Sequence, residues 1–180
     1  MKKTFLVLLP IICTLFSGCI VFHSVSYEIN VNEDGTGIAN LSVEDINSDA
    51  ASNEALDEDI KNIMEYALKS QEFLEGMEAE GKRTASRDIY IVDGKLNASL
   101  SYSFVDISRV EGMQFEDPYF YLTIPAEDSI ISTNGQVTKT AEYKRIIWDK
   151  SIKTLKFKMF SDDTNREGLT SLAPYYQKED

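Results

Sequence analysis

Apolar and polar residues alternate with a period of two from the mid-twenties onward. Val25, Tyr27, Ile29 and Val31 point one way, while Ser24, Ser26, Glu28 and Asn30 point the other, as in a strand with one buried face. Asp34-Gly35 follows, a pair suited to the positive φ of a tight turn, and predicts a hairpin whose second strand runs from about Thr36 to Glu44. Between Asn53 and about Met77 the period lengthens. Leu56, Ile60, Ile63, Met64, Ala67, Leu68 and Leu74 recur at spacings of three, four and seven, which predicts one long amphipathic helix. Ser52 or Asn53 would cap it, and Glu54, Asp57 and Glu58 lie in the first turn, where the helix dipole favours acids. Gly76 and Gly81 are its candidate stops.

The period of two then returns. Ile89 to Val92, the turn Asp93-Gly94 and the alternating run from Leu96 to Phe104 predict a second hairpin. Residues 106–117 have mixed polarity and suit a loop or short helix. Tyr119 to Ile124, framed by Pro118 and Pro125, is apolar on both sides, as expected of a central strand covered on both faces. Asn134-Gly135 predicts a third hairpin, joining Ser129–Thr133 to Gln136–Ala141. Further strands fit Tyr143–Trp148 and Lys153–Phe160. Residues 161–180 form a polar C-terminal tail in which Leu172 to Tyr176 could dock back. With no repeat and no linker after residue 24, the pattern predicts a single α+β domain over 24–160. It would hold an antiparallel sheet of hairpins, about seven to nine strands, with one long amphipathic helix packed on it.

The first residues follow another logic. Lys2 and Lys3 precede an apolar run from Phe5 to Phe16 that ends in Ser17-Gly18 before Cys19, the pattern of a cleaved secretory signal. The run is too short for a membrane helix, which needs about 20 apolar residues. Phe16-Ser17-Gly18-Cys19 resembles the bacterial lipobox, with Phe16 where Leu is usual. That resemblance implies a signal peptide over 1–18, a lipid anchor on Cys19 and a short lipidated tether over 19–23. An ordinary secreted protein with a cysteine at its cleavage site is the alternative. Cleavage would also remove Cys13 and leave Cys19 as the one thiol, so the fold must rest on its core and not on disulfides.

Composition narrows the partners. A 180-residue chain that is 43% apolar can bury a substantial core, which excludes disorder as its main state. Its formal charge of −12 argues against nucleic acid as partner, and removal of Lys2 and Lys3 with the leader makes it more acidic. The charge is unevenly spread. Glu44 to Glu80 carries a net −10, and Lys139 to Phe160 a net +5. The acidic helix face is either a solvated surface or a docking site for a protein partner. The basic stretch would suit anionic headgroups or simply balance the acids.

No catalytic constellation is recognisable. His23 is the sole histidine, no cysteine beyond Cys19 remains as nucleophile, and none of the 30 acids stands out as a pair. Asn30 to Gly35 resembles the start of a calcium loop, but Leu41 stands where a bidentate glutamate is needed. No catalytic residue, metal or cofactor is therefore assigned. The aromatic residues are the remaining candidates: Tyr119, Tyr121, Tyr143 and Trp148, with Phe120, lie on neighbouring strands. They would line a lipid- or glycan-accepting cavity, or else form core.

Taken in order, the lipobox Cys19, a strand within ten residues and the turn Asn32-Glu33-Asp34-Gly35-Thr36-Gly37 are followed by a helical region, Pro125, Ser132-Thr133-Asn134-Gly135 and Trp148. This order resembles the LppM-type lipoprotein domain of bacterial envelopes, over residues 20–160. That family usually carries a transmembrane helix after the domain, whereas this sequence has no such stretch before Asp180. The resemblance implies a compact sheet-and-helix domain that handles lipids or glycolipids in the cell envelope, on the outer face of the cytoplasmic membrane or in the outer membrane. The expected function is a non-enzymatic, membrane-anchored lipoprotein that binds lipid or glycolipid. A scaffold lipoprotein that docks a protein partner through its acidic helix is the alternative.

Overall fold

The structure, a computed structural model, describes residues 20–160 and 167–177. The signal peptide and Cys19 lie outside the described residues. Among the described residues the fold is α+β, with two antiparallel sheets of seven and four strands and two helical segments. The larger sheet is built from β1 (Ile20–Val31), β2 (Gly37–Ser48), β3 (Lys82–Val92) and β4 (Lys95–Phe104), joined by β7 (Ile130–Thr133) and β10 (Thr154–Met159) in the order β3-β4-β2-β1-β10-β7. The two-residue strand β11 (Thr170–Ser171) pairs with the far end of β2. The smaller sheet runs β5 (Met113–Glu116), β6 (Tyr119–Pro125), β9 (Tyr143–Asp149) and β8 (Gln136–Lys139).

Both expected N-terminal hairpins form, with longer strands than the alternation suggested. β1 starts at Ile20, so residues 20–23 belong to the sheet and are not a tether. β2 continues to Ser48 because the alternation slips rather than stops. Asp45 adopts a positive φ of 57°, and its N–H donates to Asn97 Oδ1 at 3.1 Å. Val43 and Ile46, three positions apart, therefore meet the same apolar cluster. The C-terminal segment also joins the fold. Leu172 is fully buried and Ala173 nearly so beside Ile46, Ile89 and Leu96, with Tyr176 packed against them, so Leu172 to Tyr176 dock back as the sequence allows, and residues 170–176 belong to the fold and not to a polar tail.

Asn134-Gly135 does not form a hairpin. β7 pairs with β10 in the larger sheet and β8 with β9 in the smaller, so the pair carries the chain from one sheet to the other. Asn134 acts as a surrogate strand residue. Its Oδ1 accepts from the Lys156 N–H and from the Trp148 indole N–H, both at 2.8 Å, and its Nδ2 donates to the Thr154 carbonyl at 2.8 Å. Gly135 is required by proximity, since a Cβ there would lie 2.7 Å from both Ile146 Cγ2 and Trp148 Nε1. Within residues 106–117, a short 3-10 turn at Ile107–Arg109 is followed by β5, a strand the mixed polarity concealed.

The two sheets pack face to face over one core. Tyr27, Ile29, Tyr102, Phe104, Leu155 and Phe157 from the larger sheet meet Met113, Phe120, Leu122, Ile124, Ile146 and Trp148 of the smaller. The smaller sheet covers only part of that face, and the helices cover the rest. The predicted helix is two segments. α1 (Asn53–Lys61), capped by Ser52 Oγ on the Ala55 N–H, widens into a π-helical stretch at Asn62–Ala67. The chain then breaks at Ser70, which is extended (ψ 137°) and caps α2 (Gln71–Ala79). One buried polar contact ties this layer down: Ser48 Oγ donates to Asp59 Oδ2 at 2.6 Å, with both residues buried.

The basic stretch is paired mainly with acids outside the acidic run of residues 44–80, and Lys158–Glu44 is its ion pair with that run. Lys156 pairs with Glu28 and Lys158 with Glu44 across the outer face of the larger sheet, at 2.7 and 2.6 Å. Hydrogen bonds from Lys158 and Ser24 hold the Glu44 carboxyl below the usual carboxylate range. Lys150 pairs with Asp117 at 2.7 Å. Lys144 donates to the Asp128 carbonyl and Lys153 lies 4.0 Å from Glu33, so with Arg145 below six basic side chains that could have met anionic headgroups are engaged within the fold.

Candidate functional site

The helical layer does not close over the sheet beneath it. A row of residues in register, Val25, Val43, Ala98 and Ile89, runs across β1, β2, β4 and β3; the adjacent row is Tyr27, Leu41, Leu100 and Arg87. Ala98 is the small member of its row, placed between Val43 and Ile89, and leaves volume that neighbouring valines and isoleucines would otherwise fill. Above it, Ile63 and Ala67 of the π-helical stretch, Leu68 just after it and Phe73 of α2 supply the roof. The result is a half-open cavity of about 230 Å³ between helices and sheet, whose floor includes Ile20 and Phe22 on β1 at one end and Ile89 on β3 at the other.

Its shape follows from the sheet. Neighbouring strands are roughly 4.8 Å apart, so a cavity reaching from β1 to β3 spans three intervals, about 14 Å. Its walls are almost wholly apolar. In volume it exceeds an engineered cavity of roughly 150 Å³ that binds benzene, and falls below the roughly 300 Å³ where pockets for drug-sized ligands begin. A narrow apolar chain suits those dimensions better than a bulky ring system.

The basic side chain among those lining the cavity is Arg87. It lies on the edge strand β3 below the helix break, where Nη1 donates to the carbonyls of Ala67 and Ser70, both at 3.0 Å. Ala67 belongs to the end of the first helical segment and Ser70 is the cap of the second, so one guanidinium nitrogen bonds to both sides of the break. The guanidinium carbon is 5.4 Å from the centre of the Phe73 ring. Arg87 therefore fixes the break in position and keeps the roof in two pieces.

The aromatic candidates divide between two faces of the smaller sheet. Phe120 and Trp148 are register partners on the inner face, and Trp148 is fully buried against Phe157 in the core. Trp148 is thus not part of a ligand cavity with the tyrosines, because alternation along β9 points it the other way from Tyr143 and Arg145. Tyr119, Tyr121 and Tyr143 are on the outer face. Arg145 lies between two of them, its guanidinium carbon 4.7 Å from the Tyr121 ring centre and 5.2 Å from that of Tyr143, while Nε donates to Thr123 Oγ1 at 2.9 Å. Tyr119, Tyr121 and Arg145 line a shallow open cleft with Glu116 and Asp117. β6 is central in its sheet, as expected, but covered on one side only, with Tyr119 and Thr123 exposed.

A second charged cluster is structural in geometry. Lys82, almost fully buried, pairs with Glu80 at 2.8 Å and Glu111 at 3.2 Å and sits over the Tyr102 ring. Burial alone would lower the Lys82 pKa, but the two carboxylates outweigh it and raise it. Burial, reinforced by the Glu111 charge, pushes the Tyr27 and Tyr102 phenols well above their ordinary range, so both stay neutral. Among the described residues no group of three or more His, Cys, Asp or Glu side chains could hold a metal ion.

The helix cavity does not follow from the aromatic pattern, because its walls are mostly aliphatic and drawn from six separate elements. The one legible trace is Ala98 within the cleanest alternating strand, informative only once the register beside Val43 and Ile89 is known. Among the described residues no helix is long and apolar enough to cross a membrane. No family model, curated protein or solved structure matches this chain.

Proposed function

We propose that this chain is a membrane-anchored bacterial envelope module that holds a single-chain amphiphile, with the apolar chain in the cavity beneath its helices. The observation that carries this reading is the cavity itself: apolar walls, a width of four strands, and a roof interrupted at Ser70 instead of packed shut. The turn motifs that resemble the LppM-type domain point the same way. The start of β1 adds a spatial argument. Ile20 lines the cavity, and a lipid-bearing Cys19 would be one peptide unit away, about 3.8 Å between Cα atoms. Anchored there, this end of the cavity is held beside the bilayer, the source of amphiphiles. The tyrosine face of the smaller sheet is separate from this cavity.

Two measurements test the two parts. Mass spectrometry of the full chain extracted from bacterial membranes is expected to find a diacylated Cys19 at the N-terminus; an intact, unmodified leader would remove the anchor and leave the cavity untouched. For the cavity, the same protein in nanodiscs is treated with a photoreactive long-chain amphiphile, and labelled peptides are mapped. Peptides containing Leu41, Ile63 and Leu100 are expected to carry the label. Ala98→Leu, which fills existing space, is expected to leave stability within about 1 kcal/mol of the native chain or raise it, while abolishing that labelling. Label confined to the outer surface, or unchanged by Ala98→Leu, would overturn the reading.

A further inference from the structure

We infer that the amphiphile's polar end is a carboxylate and that Arg87 receives it, so that the preferred ligand is a long-chain fatty acid. The inference rests on the cavity holding an apolar chain, as proposed above, and adds the head-group chemistry. Arg87 is the cation among the residues lining this largely apolar cavity, at the β3 end, with Ile20 and Phe22 at the β1 end. A chain laid across the strands would have its tail towards β1 and its head at Arg87.

The guanidinium retains donors for such a head. Among the described residues its hydrogen bonds run from Nη1, to Ala67 and Ser70, and Nε and Nη2 carry none. A guanidinium is planar and offers a carboxylate two parallel N–H donors, and the Nε and Nη2 edge is the one left over. The neighbouring acid, Asp88, borders the cavity together with its register partner Ser99, but it is exposed and alternation turns its side chain to the opposite face of β3 from Arg87. The chemistry is matched at both ends: a cation for the carboxylate and an aliphatic channel for the chain. Because Nη1 bridges the two sides of the helix break, a carboxylate on the same guanidinium would also couple occupancy to the position of the roof.

The test compares two photoreactive probes of equal chain length, a fatty acid and the corresponding fatty alcohol, on the full chain in nanodiscs at neutral pH. The acid is expected to label the cavity peptides at least about tenfold more efficiently, the ratio one hydrogen bond to a charged group supplies. Arg87→Gln is expected to reduce acid labelling to the alcohol's level, and Arg87→Lys to restore part of the difference. Equal labelling of the native chain by both probes would overturn the carboxylate assignment and leave the cavity reading standing. No cavity labelling by either probe would remove both. The native-chain comparison decides the matter even where an Arg87 variant fails to fold.

Discussion

Trp148→Ala is expected to destabilise the fold by about 3–5 kcal/mol, the range for removal of a large aromatic side chain from a core. The indole is fully buried where the two sheets meet, with Phe120 as its register partner and Phe157 at 5.9 Å between ring centres. Its removal empties the contact between sheets and also deletes the donor to Asn134 Oδ1. In a folded unit of this size each kcal/mol lowers Tm by about 2–4 °C, so a drop of about 10 °C is expected. Urea unfolding followed by far-ultraviolet circular dichroism measures it, since the indole fluorescence is lost with the side chain. Trp148→Phe keeps most of the apolar volume and should cost much less. A loss below about 1 kcal/mol for the alanine variant would mean that the sheets do not depend on this contact. Trp148 therefore reports on the core, and its fluorescence is a poor sensor for a ligand bound beneath the helices.

The contrast between Trp148 and Ala98 shows what a one-dimensional pattern can and cannot hold. Strands β1, β2, β4 and β10 are legible because alternation is a local property of consecutive residues, and β6 because a short apolar run framed by two prolines is equally local. Asn134-Gly135 was legible as a turn but not as a crossing, because whether two strands pair across a turn depends on partners elsewhere in the chain. β10 and β9 claim β7 and β8 separately, and the asparagine's bonds to Thr154, Lys156 and Trp148 are all to distant residues. The helix break is illegible for a similar reason. Lys69-Ser70 is an ordinary pair in a helical pattern, and the interruption is stabilised by Arg87 on another element. Tyr119, Tyr121 and Tyr143 share one face of the smaller sheet, and strand parity alone sets Trp148, five residues after Tyr143, on the other. The cavity required register across four strands, and no local signal encodes that.

Ser48→Ala is expected to cost about 2–3 kcal/mol, more than its size suggests, and to act on the roof of the cavity. The Ser48 hydroxyl donates to Asp59 Oδ2 at 2.6 Å and accepts from the Ala50 N–H at 3.0 Å, so one oxygen links the end of β2, the following loop and α1. Asp59 is buried in the helix face that meets the sheet, and loss of its donor leaves a carboxylate in an apolar layer without that partner. Hydrogen bonds to charged groups contribute about 1.5–3 kcal/mol, and an orphaned buried acceptor adds its desolvation cost. Removing both partners is a different matter. Ser48→Ala combined with Asp59→Leu replaces the polar pair by apolar groups, and the double variant is expected to be more stable than Ser48→Ala alone. Denaturant unfolding of the four chains in the cycle gives the coupling directly. Amide exchange adds the functional readout: in Ser48→Ala, residues 53–67 should exchange faster while β4 stays protected, because the tether to the sheet is weakened while the sheet remains intact. Uniform loss of protection across helix and sheet would show instead that the roof has no independent motion, and a cavity under a roof that cannot move would have to admit its ligand through the existing half-open mouth.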